Sequence, residues 1–266
     1  MKKTNSKKGP LVMGILNITP DSFSDGGKFM TLEEAIKQAK KMIDEGADIL
    51  DIGGESTGPN SKFVTQEEEL SRVIPVIKAI RGFSEIPISI DTYKANVALE
   101  GIKNGADMVN DVTAMREDPK MADIVKKSKC PIIMMYSKDN SPRTTIKDKK
   151  YPDIMQTIKK FFEERIAYAK SKGIKGDQII LDPGMGQFIS NIPHYSFEII
   201  AKLQELELFK KPILVGFSRK SFLKEEIESR EEKAKTLSAI AYINGANIIR
   251  THNVGELRNY LNLIWQ

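Results

Sequence analysis

Short apolar runs and amphipathic stretches alternate along most of this chain. Leu11 to Leu16 is an apolar run of strand length that ends on Asn17, and from there to Gly27 nearly every residue is polar, Gly or Pro. Leu32 to Glu45 then carries Leu32, Ala35, Ile36, Ala39, Met42 and Ile43 at helical spacing, with Thr31 and Glu34 placed as a capping box. The cycle repeats. Ala47 to Ile52 predicts a second strand running into the Gly-rich loop Asp51 to Pro59, and Thr65 with Glu68 predicts a second capping box for a helix through Ile80. Pro87 to Ile90, Met108-Val109, Ile132 to Met135, Ile179 to Leu181, Ile213 to Val215 and Ile248-Ile249 predict six further strands. Helices are predicted over Ala95 to Lys103, Met121 to Lys127, Ile154 to Lys172, Phe197 to Leu206 and Val254 to Ile264. Tyr136 to Tyr151 reads as a long polar loop, and the charged run Lys224 to Lys235 as a solvated connection into a helix ending near Asn244. Gly-Ala-Asp at 46–48 and 105–107, echoed by Gly245-Ala246-Asn247, joins a helix to the next strand each time.

Eight strands of near-continuous apolar character, each followed by a helix, imply parallel pairing under a cover of helices. Eight is the number that closes. A single α/β domain, a (β/α)8 TIM barrel over residues 11–266 behind a flexible basic tail at 1–10, is therefore expected, with the active site at the C-terminal ends of its strands. An open doubly wound sheet is the alternative, but the first strand leads into Gly14-Ile-Leu-Asn17 and not into Gly-x-Gly-x-x-Gly.

Composition narrows the picture. At 266 residues and 40% hydrophobic, the chain can bury one large core. Much of the net charge of +5 lies in Lys2, Lys3, Lys7 and Lys8. The other basic residues are scattered and only 7% of residues are aromatic, so no stacking platform for nucleic acid is expected. No apolar run approaches the ~20 residues that span a bilayer, so no membrane partner is expected. No apolar core follows the lysines before Gly9-Pro10, which argues against a secretory signal. One cysteine, Cys130, cannot make an intrachain disulfide, and a cytoplasmic location is expected.

Closing the strands brings Asn17, Asp51, Asp91, Asn110, Asp111, Asp182, Ser218, Arg219, Lys220, Arg250 and His252 to one mouth. Any one of them is as readily a structural hydrogen bond or ion pair. As a set, several acids and bases on one rim call for a ligand to satisfy them. The carboxylates and amide suit a ring rich in N–H donors, such as an aminopyrimidinone, while Arg219, Lys220, Arg250 and His252 suit a phosphate or carboxylate. Met135, with Met134, is core or pocket wall, and Gly216 opens the loop carrying Ser218 to Lys220. His194 and His252 are the only histidines and Cys130 stands alone, so a zinc cluster is not expected. His194 reads as a surface residue and Cys130 as a packing residue. A hard Mg²⁺ held by Asn17 and substrate phosphates fits, since that ion takes few protein ligands.

Gly14 to Gly27, Asp51-Ile-Gly-Gly-Glu-Ser-Thr57, Ser89-Ile-Asp-Thr-Tyr-Lys94, Asn110-Asp111, Asp182-Pro-Gly184, Ser218-Arg-Lys-Ser221 and Arg250-Thr-His252 occur in this order. From Met13 to about Leu261 the sequence resembles the dihydropteroate synthases. The resemblance implies condensation of 6-hydroxymethyl-7,8-dihydropterin diphosphate with 4-aminobenzoate, releasing pyrophosphate, in folate biosynthesis. It implies that Asp91, Asn110, Asp182 and Lys220 hold the pterin, with Arg250 along its face. Asn17 and His252, with Mg²⁺, would hold the diphosphate, and Thr57, Pro59, Ser218 and Arg219 would frame aminobenzoate. Asp91, Asp182, Lys220 and His252 are then the catalytic candidates, through charge stabilisation. Loops 14–27 and 53–63 would close over the site, and relatives suggest a homodimer through the last helices.

The sequence also departs from the common pattern of that family. Gly58 stands where many members have Arg, Tyr136 where many have His, and Gln187 to Ser190 replaces a usual Phe-Gly-Lys. The run Asp182 to Phe188 and Arg250-Thr-His252 are similar to the sulfonamide-insensitive branch, which implies reduced sulfonamide binding. A pterin-dependent methyltransferase on the same barrel, or a catalytically silent pterin-binding protein, is the competing reading.

Overall fold

The computed structural model describes residues 9–19, 31–218, 220–223 and 227–264. Residues 1–8 of the basic tail, residues 20–30 of the first loop, and Arg219 lie outside them. Eight parallel strands follow in chain order: β1 (Leu11–Asn17), β2 (Ile49–Gly53), β3 (Ile88–Asp91), β4 (Met108–Asp111), β5 (Ile132–Met135), β6 (Ile179–Asp182), β7 (Leu214–Gly216) and β8 (Ile248–Thr251). Helices separate them: α1 (Leu32–Asp44), α2 (Gln66–Arg81), α3 (Ala95–Lys103), α4 (Met121–Ser128), α5 (Ile154–Ser171), α6 (His194–Ala201), α7 (Ile227–Ile243) and α8 (Val254–Ile264). The sheet runs β6-β5-β4-β3-β2-β1-β8-β7, and a parallel bridge between Leu181 and Ile213 joins its two ends. The result is the (β/α)8 barrel that the alternation predicts.

Side chains of odd and even strand positions divide between two cores. Met13, Ile49, Met108, Ile133, Ile180, Leu214 and Ile248 face inward and plug the barrel, one from each strand except β3. Their neighbours, such as Val12, Leu50, Ile88, Val109 and Ile132, face outward into the larger core under the helices. The helices bury a single stripe, as with Ala35, Ala39 and Met42 of α1.

The repeated Gly-Ala-Asp phrase has a physical role. Gly46, Gly105 and Gly245 take left-handed φ values of 93°, 115° and 103° at the ends of α1, α3 and α7. There Ala47, Ala106 and Ala246 donate their N–H back to Met42, Gly101 and Ala241, a Schellman closure. The third residue then ties two strands together. Asp48 accepts from Val12 N at 2.9 Å, Asp107 from Ile88 N at 2.8 Å and Asn247 from Ile213 N at 2.8 Å.

Some boundaries and caps differ from expectation. Thr31 and Glu34 form the reciprocal capping box, but at α2 only half of one exists. Thr65 Oγ1 accepts from Glu68 N, while the Glu68 carboxylate turns to Arg72 one helical turn on. The predicted helix Phe197 to Leu206 is displaced: α6 begins at His194, and Leu203–Phe209 winds as a 3₁₀ helix. Most of the charged run before Lys235 belongs to α7 itself, since Lys235 pairs with Glu232 and with Glu256 of α8. Residues 224–226 lie outside the described part.

Candidate active site

The inward parity that builds the plug carries on upward. Two residues beyond each plug residue come Ile15, Asp51, Asn110, Met135, Asp182, Gly216 and Arg250, so the same strand faces deliver polar groups above an apolar floor. Asn17, Asp91 and His252 complete the upper ring. With the following loops these residues enclose a cavity of about 550 Å³, lined among others by Asn17, Thr57, Pro59, Asp91, Asn110, Met135, Asp182, Gly216, Ser218, Lys220, Arg250 and His252. The candidate site residues thus meet at one cavity, apart from Asp51 and Asp111, which do not line it, and Arg219, which lies outside the described residues.

Arg250 is the centre of the charge arrangement. Its Nε donates to Asp51 Oδ2 at 2.6 Å and its Nη2 to Asp91 Oδ2 at 2.7 Å, which ties β8 to β2 and β3. Asn110 Nδ2 donates to the same Asp51 oxygen at 3.1 Å. Asp51 thus lies beneath the cavity as the anchor of Arg250 and Asn110 and is not part of the lining. Its other oxygen, and the hydroxyl of Ser89 registered opposite it, are buried without a hydrogen-bond partner. Gly216 lies directly against Arg250: a Cβ there would be in contact, at 3.4 Å, with the Arg250 carbonyl oxygen and Cβ.

Burial and crowding shift these groups. Asp91 is pushed up to about 7 by burial and by neighbouring Asp51, against the pull of Arg250. Asp182 rises to about 6 through burial, opposed by the Gly184 amide, which donates to its Oδ1 at 2.8 Å, and by Lys220 and Arg250. Lys220 falls to about 8, from burial and the nearby Arg250 charge, although Asp182 and Asp91 oppose the fall. Burial works against the Arg250 charge too, but Asp51 and Asp91 outweigh it and hold the guanidinium above its usual range. Three carboxylates share the mouth with two cations, and a ligand that brings N–H donors or positive charge would relieve them.

One wall is apolar: Val112, Met135 and Phe188 line it and pack with Tyr93, and Lys220 Nζ lies 4.7 Å from the centre of the Phe188 ring. A flat heterocycle fits such a slot. On the far side Ser218 Oγ donates to Glu231 at 3.0 Å and lies 3.0 Å from His252 Nδ1. A serine hydroxyl has one hydrogen, so His252 is the donor in the second contact, which sets its ring orientation.

Asp111 is the residue that the sequence misplaces. It follows inward-facing Asn110 and so points outward, where it is fully buried. Its oxygens accept from Thr113 N, Thr113 Oγ1 and Met115 N at 2.7–2.8 Å. They hold a turn in which Ala114 and Met115 have φ of 51° and 62°. His194 opens α6, its side chain 74% exposed and 3.6 Å from Glu198, and Cys130 is buried beside Ser128. Of the departures from the family pattern, Gly58, Gln187 and Phe188 line the cavity, while Tyr136 is buried outside it against Tyr151 and Phe161. Gly184, with φ of 69°, can only be glycine: a Cβ would meet the Tyr136 carbonyl at 2.4 Å. Lining residues that the sequence reading missed include Glu55, Val112, Thr144, Ile146 and Met185. The length of the loop from Tyr136 was the one available signal for Thr144 and Ile146.

Among the described residues, no group of three or more His, Cys, Asp or Glu is placed to hold a metal ion, and no helix is long and apolar enough to cross a membrane.

Comparison with known proteins agrees with this geometry. Residues 13–252 match the family model described as pterin binding enzyme. The chain is 41% identical over 260 residues to the dihydropteroate synthase of Clostridium beijerinckii, covering 96% of this chain and 93% of that one. It superposes with a TM-score of 0.86 at 43% identity on the Clostridium difficile dihydropteroate synthase crystallised in the presence of pteroic acid, covering 96% and 95% of the two chains. It superposes at 0.88 and 35% identity on the Xanthomonas albilineans enzyme with 4-aminobenzoic acid, covering 97% and 92%. A barrel whose strand ends set acids, an amide and two cations around one slot thus has counterparts in these relatives: the chain belongs to the pterin-binding enzymes and, among them, to the dihydropteroate synthase family.

Proposed function

We propose that the cavity condenses 6-hydroxymethyl-7,8-dihydropterin diphosphate with 4-aminobenzoate, giving 7,8-dihydropteroate and pyrophosphate. The convergence of Asp91, Asn110, Asp182, Lys220 and Arg250 around one apolar-walled slot carries this reading. Asp182 and Asn110 match the amino and ring N–H groups of an aminopyrimidinone, Lys220 its carbonyl or ring nitrogen, and Arg250 its face. The bond between the pterin methylene carbon and the bridging oxygen breaks with its electron pair going to diphosphate. The arylamine nitrogen lone pair then forms the C–N bond, and that nitrogen releases a proton to solvent.

Positive charge builds on the pterin as diphosphate leaves, so the carboxylates of Asp91 and Asp182 lower the barrier in their ionised form. Burial, the main cause of their raised pKa values, disfavours those ionised forms. Positive charge developing on the pterin favours them. Thr57 and Pro59 offer a wall for the arylamine, and Asn17 and His252 lie where the diphosphate would extend. Asn17, an oxygen donor at the end of β1, suits Mg²⁺ sharing its coordination with diphosphate oxygens, and that ion would supply charge neutralisation to the leaving group.

The test is pyrophosphate release by the whole chain, with both substrates, with and without Mg²⁺. Release that requires aminobenzoate and is strengthened by Mg²⁺ is the expected result. Pterin binding without release would favour the silent binder, and methyl transfer from a folate would favour the methyltransferase.

The same proposal includes weak sulfonamide binding, because Thr144 and Ile146 border the outer cavity where a substituent larger than a carboxylate has to fit. Ordinary competitive potency against aminobenzoate would overturn that part. It also includes a cytoplasmic homodimer: Ile240 and Ile243 near the end of α7 and Leu263 and Ile264 at the end of α8 expose apolar surface on adjacent helices, supporting a second copy there. Sedimentation at a monomer's mass would count against it.

A further inference from the structure

We propose that Arg143 and Thr144, on the connection between β5 and α5, are positioning residues for the arylamine substrate: they clamp the loop after β2 in the place where its Thr57–Pro59 segment walls the cavity. The inference rests on the proposed function for the identity of that substrate.

The connection from Tyr136 to Asp153 is long for a compact barrel, and it has no helix or strand of its own. It is nevertheless tightly built at its base. Lys138 Nζ, nearly fully buried, donates to Thr144 Oγ1, Thr145 O and Gln187 O at 2.6–2.8 Å and pairs with Asp139 at 2.7 Å. Asp139 in turn accepts from Thr145 N and Oγ1 and from Thr144 Oγ1. Although burial raises it, these donors hold its carboxyl down to about 2.

From this knot two residues reach across the mouth. Thr144 N donates to Thr57 O at 3.1 Å, and Arg143 donates from Nε to Ser61 O at 3.1 Å and from Nη2 to Lys62 O at 2.9 Å. The Arg143 guanidinium also pairs with Glu55 and stands 5.5 Å from the Phe63 ring. Glu55 is held from behind, by Tyr93 OH at 3.0 Å and by Lys94, which also takes Val64 O and Glu69. The loop after β2 is thus anchored at its two ends by Tyr93 and Lys94, between β3 and α3, and in its middle by the β5 connection. Arg143 does not line the cavity, whereas Thr57, Pro59 and Thr144 do.

Removing the guanidinium returns the Ser61 and Lys62 carbonyls to water and leaves the middle of the loop on one cross-loop backbone bond. Aminobenzoate must then select the competent loop position from a wider set, so its apparent affinity falls by the fraction of time that position is occupied. The pterin floor, set by β3, β4, β6 and β8, does not depend on the clamp.

Steady-state kinetics of the whole chain test this, with each substrate varied at saturation of the other, in Arg143→Ala and Arg143→Lys. Expected for Arg143→Ala is a rise in KM for aminobenzoate of about tenfold, with KM for the pterin diphosphate and kcat changed by less than about threefold. Arg143→Lys should be intermediate, because a point charge reaches Glu55 but cannot fork to two carbonyls. Independently, tryptic cleavage after exposed Lys62 should quicken in Arg143→Ala and slow again when both ligands are bound. Unchanged KM for aminobenzoate, or a parallel loss in both KM values and kcat, overturns the clamp. A wild-type chain that releases no pyrophosphate overturns the functional reading instead, and the cleavage arm still decides the clamp.

Discussion

The barrel floor and the barrel mouth are built from the same strands, two residues apart, and obey opposite rules. Met13, Ile49, Met108, Ile133, Ile180, Leu214 and Ile248 bury apolar surface and ask only for shape and volume. Asp51, Asp91, Asp182 and Arg250, higher up the barrel, bury charge that remains incompletely matched, with the Asn110 amide among them. The floor stabilises the fold; the mouth spends part of that stability on holding groups ready for a ligand.

Three substitutions or measurements sharpen the contrast, and the largest effect belongs to the mouth. Asp182→Asn keeps an acceptor for Gly184 N but removes the charge, so kcat should fall by about 10²- to 10³-fold while the unfolding midpoint at pH 8 stays the same or rises. A falling midpoint together with unchanged turnover would reverse the proposed division of labour. Next in size, Ile133→Ala in the floor should lower stability by about 2–5 kcal/mol in chemical denaturation, with kcat of the folded fraction little altered.

The smallest effect is on pH dependence. The pterin kcat/KM should climb as Asp182 and Asp91 ionise through about 6 and about 7, and fall as Lys220 loses its proton through about 8. Lys220→Met should remove the alkaline limb from whatever activity is left. On folding, the same two carboxylates act with the other sign. A raised folded-state pKa means tighter proton binding in the folded chain, so their contribution to stability is present in acid and is lost as pH rises through about 6 and 7. A ligand-free chain whose stability increased through that window, or a loss of the same size in Asp91→Asn, would contradict the assignment.

Much of this was legible in the sequence because strand periodicity and strand ends are local signals. Asn17, Asp91, Asp182 and Arg250 each close an apolar run, and a parallel barrel gathers such ends whatever the intervening helices do. Asp111 shows the limit of reading ends without parity: Asn110 and Asp111 are both terminal, but only one side chain of a consecutive pair faces inward. The early start of α7 was hidden because a charged face and a solvated loop look alike in composition. The Arg143 clamp was hidden more deeply. Its partners lie about eighty residues away along the chain, and no local pattern announces a guanidinium that reaches another loop's carbonyls.

The joint between β6 and β7 has a consequence of its own. Elsewhere around the barrel adjacent strands share a ladder, but here a bridge at Leu181 and Ile213 and the bond from Leu181 N to Pro212 O close the circle. Asp182 stands on one lip of this seam and Lys220 follows the other. A pterin gripped by both would staple the seam shut, so occupancy of the site would be felt as slower amide exchange along β6 and β7 before it was felt anywhere else in the wall.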